Sequence, residues 1–148
     1  MKNTNSPVSF GIHIKCQDFD GSYAFYRNFG FKEVFAYGPE EFLRGLDGSI
    51  PTAKENYRGV SFQVGDAILE IADGHVAVKP EVFKEVVTSS KISAMVDVES
   101  LDVVEKVCRN NNYKIVAPRK EYPWGMTELV VKDPDGFVLV FRQKTDSE

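Results

Sequence analysis

Residues Tyr122–Phe141 read YPWGMTELVVKDPDGFVLVF, and this stretch decides the fold because it contains a tight turn between two apolar runs. The turn sequence is DPDG at residues 133–136. Pro134 suits the second position of a turn, where φ is about −65°, and Gly136 readily takes a positive φ. The runs on either side are rich in β-branched and aromatic residues, which favour strands. The stretch therefore predicts a β-hairpin.

An internal repeat extends this interpretation to the whole chain. The pattern Arg-Asn-x-x-(Phe/Tyr)-Lys-x-Val begins at Arg27 and occurs again from Arg109. In both halves it lies within the same predicted order of a strand, a helix, a second strand and a hairpin. We therefore expect an α+β fold in one domain, residues 1–148. The expected bounds are residues 8–73 for module one, 74–90 for a connector and 91–144 for module two, each module having the order βαβββ.

Composition excludes several classes of function. The chain has 148 residues, of which 43% are hydrophobic and 27% charged, as in a globular domain. Its formal charge of −4, without a basic stripe, predicts no nucleic-acid partner. No apolar run is long enough for a membrane helix, and the polar start does not resemble a signal peptide. Cys16 and Cys108 are far apart and are expected to be reduced. We therefore expect a cytoplasmic protein with no membrane partner.

Local signals place the helices and one long loop. Asp20 or Ser22 is expected to cap the helix of module one, and Ser100 the helix of module two. Residues 38–57 are longer than the equivalent part of module two and carry the apolar Phe42. Loops of this length are often functional. This loop is expected either to pack on the rim of the sheet or to form a lid over a binding site.

Three motifs together resemble one protein superfamily. They are the DPDG hairpin, the PWG at residues 123–125 ahead of it, and FYRNFGF at residues 25–31. Over about residues 8–143 the chain resembles the glyoxalase/bleomycin-resistance/extradiol-dioxygenase superfamily, also called vicinal oxygen chelate proteins. The resemblance implies that the two modules form a curved mixed sheet around a concave cleft that binds a small molecule. Because the superfamily includes lyases, dioxygenases, thiol transferases and drug-sequestering proteins, the resemblance is specific for fold rather than for function.

The resemblance also raises the question of a metal site. Enzymes of the superfamily hold a divalent metal with side chains at four strand positions, and a tightly held metal needs about three or four N, O or S donors. The resemblance places these positions at Gly11, Glu70, Ile92 or Ser93, and Val140. Only Glu70 is a metal-binding residue type, and His13, on the same face as Gly11, would add a second donor. Two donors are too few, so we predict no metal, no cofactor and no catalytic residues.

Without a metal, the expected cleft has apolar walls. By parity Val138 and Val140 face it, with Leu129 and Val131 across the hairpin. Trp124 resembles the tryptophan that stacks on the drug in the bleomycin-resistance branch, although it would serve equally well to cover an edge of the core. His75, in the connector, is expected to be exposed to solvent. The predicted ligand-binding residues are Trp124, His13, Glu70, Val138, Val140, Met95 and Tyr122.

The sequence leaves three functions open. The first is non-enzymatic sequestration of a small aromatic molecule, as in the antibiotic-resistance branch. The second is lyase, isomerase or dioxygenase chemistry, metal-dependent or metal-free, using His13 and Glu70. The third is an accessory domain whose cleft is filled by residues 38–57. The resemblance also implies a two-fold homodimer, the commonest form of oligomer.

Overall fold

The described part of the chain folds as two compact units, divided between residues 85 and 86. The computed structural model describes residues 6–145. The elements in chain order are β1 (Phe10–Lys15), α1 (Phe19–Asn28), β2 (Lys32–Gly38), α2 (Glu40–Arg44), β3 (Thr52–Lys54), β4 (Gly59–Val64), β5 (Ala67–Ala72), a 3-10 helix (Pro80–Lys84), β6 (Ser93–Asp97), α3 (Leu101–Asn111), β7 (Ile115–Tyr122), β8 (Met126–Lys132) and β9 (Val138–Lys144). Within the described part of the chain, none of the helices has both the length and the apolar character needed to cross a membrane.

Module one is a five-stranded sheet in the order β1-β5-β4-β2-β3. Strand β1 runs parallel to β5, whereas β4 is antiparallel to both β5 and β2. Helix α1 covers one face, where Tyr26 is fully buried and its ring centroid lies 5.9 Å from that of Phe62 on β4. The opposite face of this sheet carries the polar side chains of the candidate site.

Module two repeats this plan. Its sheet has the order β6-β9-β8-β7, with β6 parallel to β9 and the other pairs antiparallel. Helix α3 buries its apolar side, and the sheet buries Leu129 and Leu139 completely. Both units therefore have the order βαβββ, with α2 and β3 inserted in module one, which confirms the predicted pair of modules.

The turn between β8 and β9 forms as predicted. Gly136 has φ of +87°, and its N–H donates to the carbonyl oxygen of Asp133 at 3.0 Å. The buried Asp133 carboxylate also accepts from the backbone N–H groups of Asp135 and Phe137, at 2.9 and 2.8 Å. A buried N–H without a partner costs about 1–3 kcal/mol. Asp133 therefore stabilises the turn that orders the whole hairpin.

The helix caps agree only in part with the prediction. Helix α1 begins after Asp18, whose carboxylate accepts from the N–H of Gly21 at 3.0 Å. The prediction of Asp20 or Ser22 as its cap was therefore wrong, because both lie inside the helix. Ser100 caps α3 as predicted, and its hydroxyl accepts from a backbone N–H at 3.4 Å.

The long segment of residues 38–57 contains a short helix and a short strand. Phe42 of α2 packs edge-on against Phe19, with ring centroids 5.5 Å apart. The guanidinium of Arg58 lies 4.6 Å from the centre of the Phe19 ring, and its Nε donates to Asp73 at 2.8 Å. Phe42 therefore packs at the rim of module one, beside the start of α1, which is the first of the two alternatives.

Candidate functional site

A group of polar side chains lies at the centre of the open face of module one. His13 on β1 is directly opposite Glu70 on β5, and Glu70 is directly opposite Ser61 on β4. Residues that pair across neighbouring strands share a face, so these three side chains meet. Tyr37 of β2 reaches the same carboxylate. We call His13, Tyr37, Ser61 and Glu70 the Glu70 cluster.

The Glu70 carboxylate holds this cluster together. The Tyr37 hydroxyl donates to Oε2 at 2.8 Å, and the Ser61 hydroxyl donates to Oε1 at 2.9 Å. His13 Nε2 lies 3.3 Å from Oε2 but is not aligned with it. This nitrogen is buried and has no hydrogen-bond partner among the described residues. The cluster therefore combines two satisfied hydroxyls with one imidazole nitrogen that has no aligned partner.

The surroundings of the cluster keep two of its members neutral. Burial lowers the pKa of the His13 imidazole, and this effect outweighs the Glu70 carboxylate, which raises that pKa. Burial also raises the pKa of the Tyr37 hydroxyl, and the hydrogen bond to Glu70 acts in the same direction. At neutral pH the face therefore presents an uncharged imidazole and an uncharged phenol beside the Glu70 side chain.

The lowered pKa of His13 predicts how stability depends on pH. The folded protein binds a proton at His13 less readily than the unfolded chain does, so this contribution to stability is complete above the unfolded pKa of about 6.5. It is lost progressively as pH falls through that value toward the lower folded pKa. We expect the free energy of unfolding, measured in urea, to fall less steeply between about pH 7 and pH 5 in His13→Gln than in the wild type. Equal slopes would contradict a desolvated imidazole.

His75 lies against the cluster and is not exposed to solvent as predicted. Its ring is half-buried and packs edge-on against that of His13, with centroids 5.1 Å apart. Its Nδ1 accepts from the N–H of Ala77 at 3.0 Å, so the proton of the neutral ring is on Nε2. The connector position gave no signal of this contact because it depends on how the chain folds back toward β1.

The observed strand pairing shows which residues lie opposite the predicted metal-ligand positions Glu70 and Val140. Glu70 is opposite His13 rather than Gly11. In module two the equivalent strands place Met95 opposite Val140. The residues that accompany Glu70 and Val140 are therefore His13 and Met95, and Gly11 lies two residues away along β1.

The equivalent positions of module two are apolar, although an ion pair between Arg142 and Asp97 lies further along the same face. Val140 is opposite Val130 on β8 as well as Met95 on β6. The residues equivalent to His13, Ser61 and Glu70 are, in that order, Met95, Val130 and Val140. We call these three the apolar triplet. Met95 is 69% exposed, whereas the two valines are half-buried. Module two therefore presents hydrocarbon and a thioether where module one presents an acid and an imidazole.

Two residues predicted near this face lie on the other side of the sheet. Leu129 and Val131 are fully buried and do not pair with Val138 or Val140. The prediction was wrong by one residue, and a shift of one residue moves every side chain of a strand to the opposite face.

The side chains on these faces do not fit a divalent metal. The strands of module one offer one imidazole and one carboxylate, and both carboxylate oxygens already accept hydrogen bonds. The neighbouring imidazole of His75 already uses its Nδ1 to accept from the N–H of Ala77. Met95 and Val140 supply neither nitrogen nor oxygen. No group of three or more His, Cys, Asp or Glu side chains within residues 6–145 is placed to hold a metal ion. We therefore derive no chemical step through a metal.

Trp124 forms an exposed aromatic surface in module two. It lies in the turn between β7 and β8 and is 65% exposed, so it does not cover the core. Its ring stacks on that of Tyr122, with centroids 4.6 Å apart and an angle of 18° between the planes. Lys120 Nζ lies 5.0 Å from the centre of the Tyr122 ring. This arrangement holds the indole in place while leaving most of its surface open.

The structure thus brings the predicted residues together in three groups rather than one. His13 pairs with Glu70, Met95 with Val140, and Trp124 with Tyr122, whereas Val138 lies opposite Ser93. Sequence reasoning did not place three contributors here, namely Ser61, His75 and Val130. Ser61 could have been found, because the two-residue turn at Gly65-Asp66 places it across from Glu70.

Several solved structures resemble this chain in fold. A glyoxalase/bleomycin resistance protein/dioxygenase from Nocardioides is 14% identical, with 99% of this chain and 89% of that chain covered and a TM-score of 0.65. The fosfomycin resistance protein FosX from Listeria monocytogenes is 14% identical, with 97% and 96% covered and a TM-score of 0.60. The bleomycin resistance determinant encoded on transposon Tn5 is 21% identical, with 95% and 98% covered and a TM-score of 0.55. Likeness at these identities shows the fold alone.

Sequence comparison supplies the family. No curated protein matches the chain. The model of the Glyoxalase/Bleomycin resistance protein/Dioxygenase superfamily matches residues 12–141, which extend from β1 to β9. The chain therefore belongs to the Glyoxalase/Bleomycin resistance protein/Dioxygenase superfamily.

Proposed function

We propose that the protein binds a small, flat aromatic molecule and does not transform it. The observation that carries this proposal is Trp124, an indole that is 65% exposed yet held in place by stacking on Tyr122. Stacking on such a ring contributes about 0.5–1.5 kcal/mol beyond the burial of area. The apolar triplet supports the proposal, because hydrocarbon side chains bind a ligand by burial and transfer no proton.

The family supports the same role. Two similar structures are named for resistance to fosfomycin and to bleomycin. Because their identities to this chain are only 14% and 21%, the class of ligand proposed here depends on Trp124 and the apolar triplet. The proposal includes the two-fold homodimer expected from the resemblance. A sedimentation experiment that gives the mass of a single chain would contradict the dimer without affecting the ligand proposal.

The fluorescence of Trp124 tests ligand binding directly. Trp124 is the only tryptophan, so the indole signal reports on one position. We expect flat aromatic compounds, with bleomycin as the first member of the panel, to quench it saturably. We expect Trp124→Leu to weaken the same binding, followed by calorimetry, about two- to twelvefold, which corresponds to the free energy of aromatic stacking.

Phe10→Leu is the matched control for this experiment. Phe10 is also an exposed aromatic residue, at 76%, but it lies on β1 of module one. Its replacement is expected to leave the affinity unchanged. An absence of quenching across the panel, or an equal loss of affinity in both variants, would contradict the proposal.

The Glu70 cluster favours a second candidate function, which is metal-free acid–base catalysis. A neutral imidazole beside a carboxylate is able to accept a proton from a substrate. Mass spectrometry of the ligand after incubation separates the two functions. Recovery of the unchanged compound supports sequestration, whereas conversion that is lost in His13→Gln supports catalysis. Elemental analysis that finds a stoichiometric metal would contradict the metal-free mechanism.

A further inference from the structure

We propose that module one has a second small-molecule site, a cavity beyond the carboxyl ends of β1 and β5 that binds an aromatic or short-chain carboxylate. The cavity has a volume of about 490 Å³, within the range of roughly 300–1,000 Å³ that is usual for such sites. Its walls come from the residues that follow the two parallel strands and from the connector, up to Lys84. This inference does not depend on Trp124 or on the apolar triplet, which belong to module two.

The walls of the cavity suit an apolar body. Val78, Pro80 and Phe83 line it, and Phe83 is buried within the short 3-10 helix. The connector is shaped by its own backbone hydrogen bonds, among them the one from the N–H of Val78 to the carbonyl of His75 at 3.3 Å. An aromatic ring or a short hydrocarbon chain placed there would lose apolar surface to side chains that are already positioned.

The charge balance of the cavity favours an anion. The carboxylate of Asp73 lines the cavity but is already paired, because it accepts from Arg58 Nε at 2.8 Å and from the Arg58 backbone N–H at 2.7 Å. The same guanidinium also donates to Asp20 at 3.1 Å, but Asp20 is exposed and does not line the cavity. Lys84 also lines the cavity and forms no ion pair within residues 6–145. Lys84 is therefore the lining group whose charge has no ionic partner in the described part of the chain, and its side chain is exposed. A ligand with one carboxylate and an apolar body matches this lining.

One wall of the cavity adjoins the Glu70 cluster. His75 and Tyr57 line the cavity, and their rings pack edge-on against His13 and Tyr37, with centroids 5.1 and 5.9 Å apart. The wall is closely packed, because a Cβ on Gly74 would lie 2.6 Å from the Tyr57 side chain. A ligand in contact with His75 is therefore separated from His13 by the His75 ring.

Amide NMR with 2-naphthoate as the probe tests this site. We expect saturable shifts at the amides of Gly74, Ala77 and Val78, which lie in the connector. The neutral analogue 2-naphthalenemethanol is expected to bind about two- to fivefold more weakly, since it lacks the charge that pairs with Lys84. Trp124→Leu is expected to leave these shifts unchanged, so a failure of this site and a failure of the module-two proposal are distinguishable.

Two lysine substitutions complete the test. Lys84→Gln is expected to weaken the binding of 2-naphthoate about two- to fivefold and to equalise the affinities of the acid and the alcohol. Lys79→Gln is the matched control, because Lys79 is an exposed lysine of the same connector that does not line the cavity. It is expected to change neither affinity. The proposal is overturned by unsaturable or absent connector shifts, by equal affinity of the two probes for the wild type, or by equal effects of the two substitutions.

Discussion

Replacing Gly136 with alanine is expected to destabilise the protein by more than about 3 kcal/mol. A Cβ at this position would lie 1.9 Å from the carbonyl oxygen of Val87, and the glycine has φ of +87°. The obstructing atom belongs to the backbone, so no rotation of a side chain relieves the overlap. The N–H of Val87 also donates to the carbonyl of Asp135 at 2.9 Å, so moving this segment away would break a hydrogen bond to the turn.

Gly30→Ala is the matched control, because it separates the cost of the positive φ angle from the cost of the steric overlap. Gly30 has φ of +86°, but nothing lies within 4 Å of the position that its Cβ would take. Its replacement is expected to cost only the penalty of a left-handed residue, about 1–2 kcal/mol. Urea unfolding of both variants measures the difference. If Gly136→Ala is no less stable than Gly30→Ala, this result would contradict the close approach of the Val87 carbonyl to the turn.

The turn and the modules could be predicted because their signals are local. Pro134 and Gly136 determine the turn through their own φ angles, and the repeat is visible as a pattern of residues in each half. Each of these signals depends on residues that are close in sequence, so no knowledge of the tertiary structure is needed.

The register of the hairpin was less predictable although its turn was recognised. The connection between the paired residues Lys132 and Val138 includes the turn and is closed by a hydrogen bond from the N–H of Asp133 to the carbonyl of Phe137, at 2.9 Å. This connection consists of residues 133–137. Because their number is odd, even-numbered residues of β8 pair with even-numbered residues of β9. The sequence identifies a turn there but not which residues close it, and that one-residue uncertainty placed Leu129 on the wrong face.

His13 and Glu70 were expected in the same cleft, but the contacts within the Glu70 cluster were beyond prediction for a different reason. His13 and Glu70 come from the first and last strands of module one, which run parallel and have no turn between them to set their register. Tyr37 reaches Glu70 from β2, which is separated from β5 by β4. Contacts of this kind depend on the register of strands that are distant in sequence, and composition carries no trace of them.

The two modules show how one scaffold supports two chemistries. Their buried faces are both apolar, because a helix covers each. Their open faces differ at equivalent positions, with the Glu70 cluster in one and the apolar triplet in the other. Side chains on an open strand face change without disturbing the core, since successive residues point to opposite sides. Function in this chain is therefore to be sought on the open faces and stability on the covered ones.

Phe62→Ala tests the covered face of module one and is expected to cost about 3–5 kcal/mol of folding free energy. Phe62 is fully buried on β4, beside Ser61, whose side chain points to the opposite face. Its ring centroid lies 5.9 Å from that of Tyr26, 6.1 Å from that of Tyr23 and 6.3 Å from that of Phe31. Rings held on a helix and on the segment after it cannot close around a missing one, so a cavity remains.

Two further variants show whether packing is the cause. Phe62→Leu keeps much of the volume and is expected to cost less than about 2 kcal/mol. Phe10→Ala removes an exposed ring and is expected to stay within about 0.5 kcal/mol of the wild type. Urea unfolding should therefore rank the three losses in the order Phe62→Ala, Phe62→Leu, Phe10→Ala. Similar losses at both positions would mean that the covered face does not supply the stability of module one, because removal of an exposed ring would then matter as much as removal of a packed one.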